Sequence, residues 1–310
     1  DGSHTMTAAN FGFSDVDAGD SLSAVRIDTL PGAGSLTLSG VAVTAGQVIS
    51  LADITAGNWV FTPAANANGT GYASFTFSVR DSNNTYDAAP NTLTVNVTAA
   101  NDAPTDLALS ANTVAENAAN GTSIGTVSGT DPDSGDTQSY SLTDTAGGRF
   151  AIDSSTGEIT VADGSLLNYE SATNHSVTVR VTDSGGLTYD ETFTINLTNV
   201  NESPTGADAT VTINEDGSHT MTAANFGFSD VDAGDSLSAV RIDTLPGAGS
   251  LTLSGVAVTA GQVITVADIT AGNWVFTPVA GANGTGYASF TFSVRDSNNT
   301  YDAAPNTLTV

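Results

Sequence analysis

The 310-residue chain contains no cysteine and no lysine. Without cysteine there are no disulfides, no thiolate metal ligands and no thiol nucleophile. Its six basic residues are all arginine (26, 80, 149, 180, 241 and 295), set against 33 acids, for a formal charge of −27. Nucleic-acid binding needs clustered Lys and Arg against phosphate, and attachment to an anionic membrane surface needs the same, so charge argues against both partners. No apolar run approaches the roughly 18 residues of a membrane-spanning helix, and no signal peptide is evident. Hydrophobic residues still make up 39% of the chain. That is enough for ordinary cores, so the charge does not imply disorder. An acidic, disulfide-free chain rich in Thr, Ser, Asn and Gly fits a protein exported by a bacterium.

What is present is repetition. Residues 1–95 recur as 216–310 with four differences: Ser50/Thr265, Leu51/Val266, Ala64/Val279 and Asn66/Gly281. A unique active site gains little from such copying, whereas a modular rod gains length. The segment between the copies differs in sequence but is bounded alike. Asn101-Asp102-Ala103-Pro104-Thr105 matches Asn201-Glu202-Ser203-Pro204-Thr205 at a spacing of 100. Each proline forces the residue before it toward extended geometry. Three modules follow, 1–100, 101–203 and 204–310, joined by very short linkers. Module three opens on an alternating run, residues 209–215, that has no counterpart in module one. The expectation is a slice of a longer array, with module one lacking its first strand.

Period-two alternation marks strands at Ser35–Leu38, Trp59–Thr62, Ser74–Val79, Thr92–Thr98, Ser176–Val181 and Thr192–Leu197. Gly, Asn and Asp punctuate between them. About seven short strands per 100 residues predict an all-β fold of tandem Greek-key β-sandwiches. Trp59 and Trp274 fall on such strands, where core packing is their expected role.

The acids recur in register. Asp15-Val16-Asp17-Ala18-Gly19-Asp20, Asp131-Pro132-Asp133-Ser134-Gly135-Asp136 and Asp230-Val231-Asp232-Ala233-Gly234-Asp235 share the pattern D-x-D-x-G-D. An EF-hand loop needs Gly sixth and Glu twelfth. Here Gly is fifth and position twelve is Arg26, Leu142 or Arg241, so that reading fails three times. Glu116 precedes Asp131 by 15 residues, as Glu215 precedes Asp230, and a late strand in each module ends in Asp81, Asp183 or Asp296. Strand ends of a sandwich gather at its poles, so these carboxylates are expected to converge near the linkers. Asp28, Asp53, Asp144, Asp153, Asp163 and Asp190 read as ordinary turn or surface acids.

The middle module resembles a cadherin repeat. Ala115-Glu116-Asn117 looks like that family's early Glu motif, and Leu167-Asn168-Tyr169-Glu170 like its Leu-Asp-Arg-Glu motif with Asn replacing Asp. Asp131-Pro132-Asp133, Asp183-Ser184-Gly185 and Asn199-Val200-Asn201-Glu202-Ser203-Pro204 look like its remaining motifs, in the same order. Asn199, Glu202 and Ser203 depart from the family's Asp, Asp and Asn. Modules one and three are similar to the cadherin-like repeats of large, type I-secreted bacterial adhesins. Module three carries Asn214-Glu215-Asp216, Phe228-Ser229-Asp230-Val231-Asp232 and Phe292-Ser293-Val294-Arg295-Asp296, module one repeats the last two, and both lack a Leu-Asp-Arg-Glu counterpart.

The resemblance implies Ca²⁺ between modules. Linker two would draw on Glu116, Glu170, Asn199, Asn201, Glu202, Asp230, Asp232 and Asp296. Linker one would draw on Asn101, Asp102, Asp131, Asp133 and Asp183, with fewer or weaker ions. Asp15, Asp17 and Asp81 would be half a site. It also implies a structural extender of a bacterial cell-surface adhesin, extracellular, whose partners are neighbouring modules, with host-cell or biofilm-matrix contact left to distal domains. A carbohydrate- or protein-binding role for the middle module is the alternative. An enzyme is not expected: His4, His175 and His219 sit in no triad or zinc setting, and no Glu lies between Asp1 and Asn101 or after Glu215 to make a carboxylate pair.

Overall fold

The computed structural model describes residues 2–310, so Asp1, the first residue of module one's span, lies outside the described residues. The chain is nearly all β and forms three β-sandwiches in tandem. In module one, one sheet runs in the order His4–Thr5, Trp59–Thr62, Ser35–Leu38, Val41–Ala42. The facing sheet runs Val48–Ser50, Ala24–Ile27, Gly69–Arg80, Asn91–Val97. The middle module pairs Thr113–Ala115, Thr188–Thr198, Asn174–Thr182 and Ser139–Asp144 against Phe150–Ile152, Glu158–Val161, Ser123–Thr130 and Asp106–Leu109. Module three repeats module one with one strand more: Ala209–Thr210 lies parallel to Leu308 and Thr309 at the edge that Asn91–Val97 leaves open in module one.

Every strand expected from alternation is present, because one face of each meets a core and the other meets water. The run 209–215 is shorter than expected. Its ladder is two residues long, and the chain then turns, with Gly217 N–H donating to Asn214 O at 3.0 Å. Alternation registers which side chains face inward, not how many backbone partners are at hand. Ile213 duly packs against the core although it is outside the strand.

Each sandwich has its own core. Trp59 is fully buried and stacks on Phe11 at 4.8 Å between ring centroids, with Phe77 edge-on to Phe11 at 5.0 Å. Module three repeats this with Trp274, Phe226 and Phe292 at 5.0 and 4.9 Å. The middle module has no tryptophan and packs Phe150, Ile159, Leu167, Val177, Val179, Val181 and Ile195 instead. Sheet-to-sheet packing of this kind places the strand ends, and therefore the linkers, at the poles. Asp81, Asp183 and Asp296 each follow directly on the last residue of a long core strand: Gly69–Arg80, Asn174–Thr182 and Ser289–Arg295.

Because each flanking module has a single buried tryptophan, Trp59→Ala and Trp274→Ala should each cost about 3–5 kcal/mol in one module only. Denaturant unfolding followed by the remaining tryptophan's fluorescence should show an unchanged midpoint for the untouched module, while far-UV circular dichroism of the same samples should show an added transition at much lower denaturant from the mutated one.

Candidate metal centre

Carboxylates are the unusual feature of the interior. Among the described residues the buried charged side chains are Asp81, Glu116, Asp183, Asp232 and Asp296, and all five are at the poles. Buried acids are normally paired with a cation or bound to a metal. None of these is. The ion pairs among the described residues are Arg26–Asp28, Arg180–Asp190 and Arg241–Asp243, all at 2.7 Å on sheet faces.

Backbone geometry assembles the same arrangement at each pole. The middle Asp of each D-x-D-x-G-D donates its N–H back to the first Asp: Asp17 to Asp15 at 2.9 Å, Asp133 to Asp131 at 2.8 Å and Asp232 to Asp230 at 3.0 Å. The late Asp holds its own loop, accepting from Thr85 N–H at Asp81 and Leu187 N–H at Asp183, and from Thr300 N–H at Asp296, at 2.7–2.8 Å. These bonds occupy one carboxylate oxygen of the late Asp and leave the other to face the linker and the neighbouring acids.

The linkers dock onto this frame identically. Asn101 Nδ2 donates to Asp183 Oδ2 at 2.8 Å, and Asn201 Nδ2 to Asp296 Oδ2 at 3.0 Å. Asp102 N–H donates to Asp133 Oδ2 and Glu202 N–H to Asp232 Oδ2, both at 2.7 Å. Asn199 Nδ2 adds a bond to Asp232 Oδ1 at 2.8 Å. Glu116, 1% exposed, ties the base of the middle module to the same linker by accepting from Tyr169 N–H at 2.7 Å and Val200 N–H at 2.9 Å. Gly185 leaves room for the Asn101 side chain: a Cβ there would fall 2.3 Å from Asn101 Cγ and push that side chain off Asp183.

Four three-carboxylate clusters result, each with oxygens within 4.8 Å of one another: Asp15/Asp20/Asp81, Asp131/Asp136/Asp183, Glu116/Glu170/Glu202 and Asp230/Asp235/Asp296. The structure thus brings Asp15, Asp81, Asp131, Asp183, Asp230 and Asp296 together with the third aspartate of each motif. Asp20, Asp136 and Asp235 were not among the residues singled out from sequence. The signal was the fixed D of x-G-D, which reads equally as turn chemistry. Asp17, Asp133 and Asp232 stand outside the clusters; Asp133 and Asp232 grip the linker backbone. Asn101, Asp102, Asn199 and Asn201 lie at the joints, between module and module. Linker two has two clusters and linker one has one, because no carboxylates of module one join a cluster there among the described residues.

The donor set suits a hard divalent cation. Calcium takes six to eight oxygens and tolerates irregular geometry. Asp131 Oδ2, Asp230 Oδ2 and Glu202 Oε2 are buried without a hydrogen-bond partner, which a coordinating ion would satisfy. Burial first, then Glu116, Asp232 and Glu170, push the Glu202 carboxyl above its ordinary range. Burial likewise raises Asp230, with Asp232, Asp235 and Asp296 adding repulsion. At 4–5 Å and surface-like screening, each like-charge pair at linker two costs about 1–4 kcal/mol.

Against known families, residues 111–198 match the cadherin domain, 200–310 a cadherin-like domain and 5–98 a bacterial Ig domain. The chain is a tandem of cadherin, cadherin-like and bacterial Ig domains. Modules one and three match under two different descriptions although they are nearly the same sequence, so both descriptions cover one kind of sandwich here. Among solved structures, the extracellular domain of protocadherin gammaB4 superposes with a TM-score of 0.56 at 17% identity, over 94% of this chain and 44% of that one. Domains EC22–24 of mouse cadherin-23 give 0.54 at 21% identity, over 96% and 88%. The first four domains of protocadherin gamma B7 give 0.54 at 16%, over 94% and 67%. The chain therefore spans less than half the length of the protocadherin gammaB4 structure, and the likeness is one of fold. A search of curated protein sequences finds no match. Domains of these kinds are typical of extracellular surface proteins, are typically non-enzymatic, and in tandem suggest an adhesion or extender role. Among the described residues no helix is long and apolar enough to cross a membrane.

The raised carboxyls fix a sign for pH. An acid whose folded pKa lies above its unfolded value stabilises the fold below the unfolded pKa and loses that contribution as pH rises through the folded one. In metal-free protein, these carboxyls should therefore lower the melting temperature of the joined middle and third modules as pH rises above the ordinary carboxyl range of about 4, while His175, held below its ordinary value by burial and by Arg149, adds the opposite sign below about 6.5. Asp302, raised by burial inside module three, contributes the same sign as Glu202 and Asp230. Glu202→Gln should accordingly flatten the metal-free profile only in part, and an E202Q profile parallel to the parent's would remove Glu202 from the cause.

Proposed function

We propose that this chain is a structural extender of a bacterial cell-surface adhesin, stiffened by Ca²⁺ at the joints between modules and carrying adhesive domains away from the cell. The single observation behind this reading is the set of five buried polar-region carboxylates with no cationic side chain to neutralise them. At linker two the ligands would be Glu116, Glu170 and Glu202 from one side and Asp230, Asp235 and Asp296 from the other, with Asn199, Asn201 and Asp232 between them. At linker one they would be Asp131, Asp136 and Asp183, with Asn101, Asp102 and Asp133 holding the linker. Asp15, Asp17, Asp20 and Asp81 would form one side of a further joint. Without the ion the clusters repel and the joint opens; with it they become a clamp. The two near-identical copies support a spacer, whose function scales with the number of modules.

Extracellular modules bind calcium at Kd of about 10⁻⁴–10⁻³ M. At roughly 100 times Kd, binding adds about 2.7 kcal/mol to the folded state. Calcium should therefore raise melting by on the order of 10 °C and narrow the distribution of dimensions seen by solution scattering. Superposable scattering profiles in calcium and in chelator would overturn the clamp.

The assignment by joint is tested separately. Asp230→Ala or Glu170→Ala should weaken calcium binding at linker two roughly tenfold or more and leave linker one's sites unchanged. Isothermal titration that finds the linker-two sites intact in both variants would show the ligands to be other residues.

A further inference from the structure

The linkers are attached with a polarity. At linker two the middle module ends on a paired residue: Thr198 stands opposite Ala115 in the ladder, and its carbonyl accepts from Glu116 N–H at 3.1 Å. From Asn201 onward the chain is held by module three. Asn201 Nδ2 donates to Asp296 Oδ2 and to Thr300 Oγ1, both at 3.0 Å, and Asn298 Nδ2 donates to Asn201 Oδ1. Glu202 N–H donates to Asp232 Oδ2 at 2.7 Å. Pro204 is buried, and Thr205 and Ser229 exchange backbone hydrogen bonds at 2.7 and 2.9 Å. Linker one is seated on the middle module in the same way, by Asn101 on Asp183, Asp102 N–H on Asp133 and Thr105 N–H on Thr130 O. Each linker is built into the module that follows it.

Linker two is held far less firmly by the module before it. Among the described residues it makes two hydrogen bonds to the middle module, Val200 N–H to Glu116 Oε1 and Asn117 Nδ2 to Glu202 Oε1, both at 2.9 Å. Asn199 and Val200, between the two anchored ends, are exposed, and the Asn199 side chain reaches forward to Asp232. The charges divide in the same way. Asp230, Asp235 and Asp296 all belong to module three, so their repulsion acts inside one body. Glu116 and Glu170 belong to the middle module and Glu202 to the linker, so theirs acts across the joint. Both bonds that hold the joint use a glutamate of that cluster as acceptor.

We propose that the pivot between modules two and three is Asn199–Val200, and that residues 201–205 move with module three as one body. When the glutamate cluster is not neutralised, repulsion among three like charges outweighs two hydrogen bonds that water can replace. The middle module then swings away while the linker stays docked. The position of the pivot is set by hydrogen bonds that need no metal, whereas its closure depends on the calcium clamp proposed above.

Amide hydrogen exchange of the full chain, resolved by residue, tests this in calcium and in chelator. On removal of calcium, Val200 N–H should exchange at least about tenfold faster, while Glu202 and Thr205 N–H change by less than about twofold. In chelator, Glu202→Gln should slow Val200 exchange by roughly threefold or more, because it takes one charge out of the cluster that spans the pivot. Equal acceleration at Val200, Glu202 and Thr205 would put the pivot at the surface of module three and overturn the assignment while leaving the clamp intact. An E202Q chain whose exchange in chelator matches the parent's would do the same. No acceleration at any of the three amides would overturn the pivot and the clamp together.

Discussion

Negative charge inside the protein without positive charge beside it is the constraint on which the rest of the structure depends. The six arginines cannot supply the missing partner. Arg26, Arg180 and Arg241 are paired with Asp28, Asp190 and Asp243 on the sheet faces. Arg149 donates to the carbonyls of Ala146 and Leu166, and Arg80 and Arg295 donate to Ser23 and Ser238. No lysine exists to take their place. The backbone N–H groups that hold Asp81, Asp183 and Asp296 satisfy one oxygen each, and hydrogen bonds alone leave Asp131, Asp230 and Glu202 with an orphaned oxygen. Carboxylates buried in this way support the proposed reading, in which the counter-charge is a cation from solution, and an all-oxygen donor set suits a hard cation better than a soft one.

Within each pole the three aspartates of D-x-D-x-G-D divide the work. The first and third, with the late Asp, face one another. In modules two and three the middle one reaches the other way, to the first acidic residue of the linker, and fixes where the preceding module ends. Anchorage of the chain is thus made by hydrogen bonds that need no metal, while the cluster beside it is repulsive until neutralised. The two joints differ in what arrives from the preceding module. Glu116 and Glu170 bring two carboxylates to linker two from the base of the middle module; module one has no glutamate to bring to linker one. The same linker grip therefore carries a heavier electrostatic load at one joint than at the other.

Much of this was legible in the sequence, for physical reasons. A half-buried strand must alternate, so the long strands could be read directly, and Trp59 and Trp274 fell on their inward positions. A duplicated sequence exposes its own boundaries, so the modules could be read without knowing any fold. Carboxylates in constant register with linker prolines pointed to the poles. What was not legible depended on backbone direction. Asp133 and Asp232 share a motif with their neighbours but also accept from the linker backbone, a grip that a motif read as letters does not report. Asp20, Asp136 and Asp235 follow a glycine at positive φ, and that turn is what swings them into the cluster. The short helix Leu51–Thr55, capped by Ser50 accepting from Asp53 N–H, is too brief for periodicity to show. The ladder at Ala209–Thr210 ended early because pairing depends on a partner strand, which a pattern of inward side chains does not report.

A joint made of residues from one module's base, the linker and the next module's pole is a nearest-neighbour interaction. Each added module then brings both halves of a new joint, and stability grows as a sum over modules and interfaces, as in other linear repeat arrays. Such a design tolerates copying: four substitutions in 95 positions separate modules one and three, and all four lie away from the carboxylate clusters. Ser50/Thr265 keep the same helix cap, each side-chain oxygen accepting from the Asp three residues on. Ala64/Val279 and Asn66/Gly281 fall in the loop before the long strand. What cannot drift independently is the pole, since its carboxylates must match a linker that belongs to the chain before it. The constancy of D-x-D-x-G-D across a middle module that otherwise shares little sequence with its neighbours follows from that geometry: the sandwich can be filled in more than one way, but the grip on the incoming linker has one form throughout the chain.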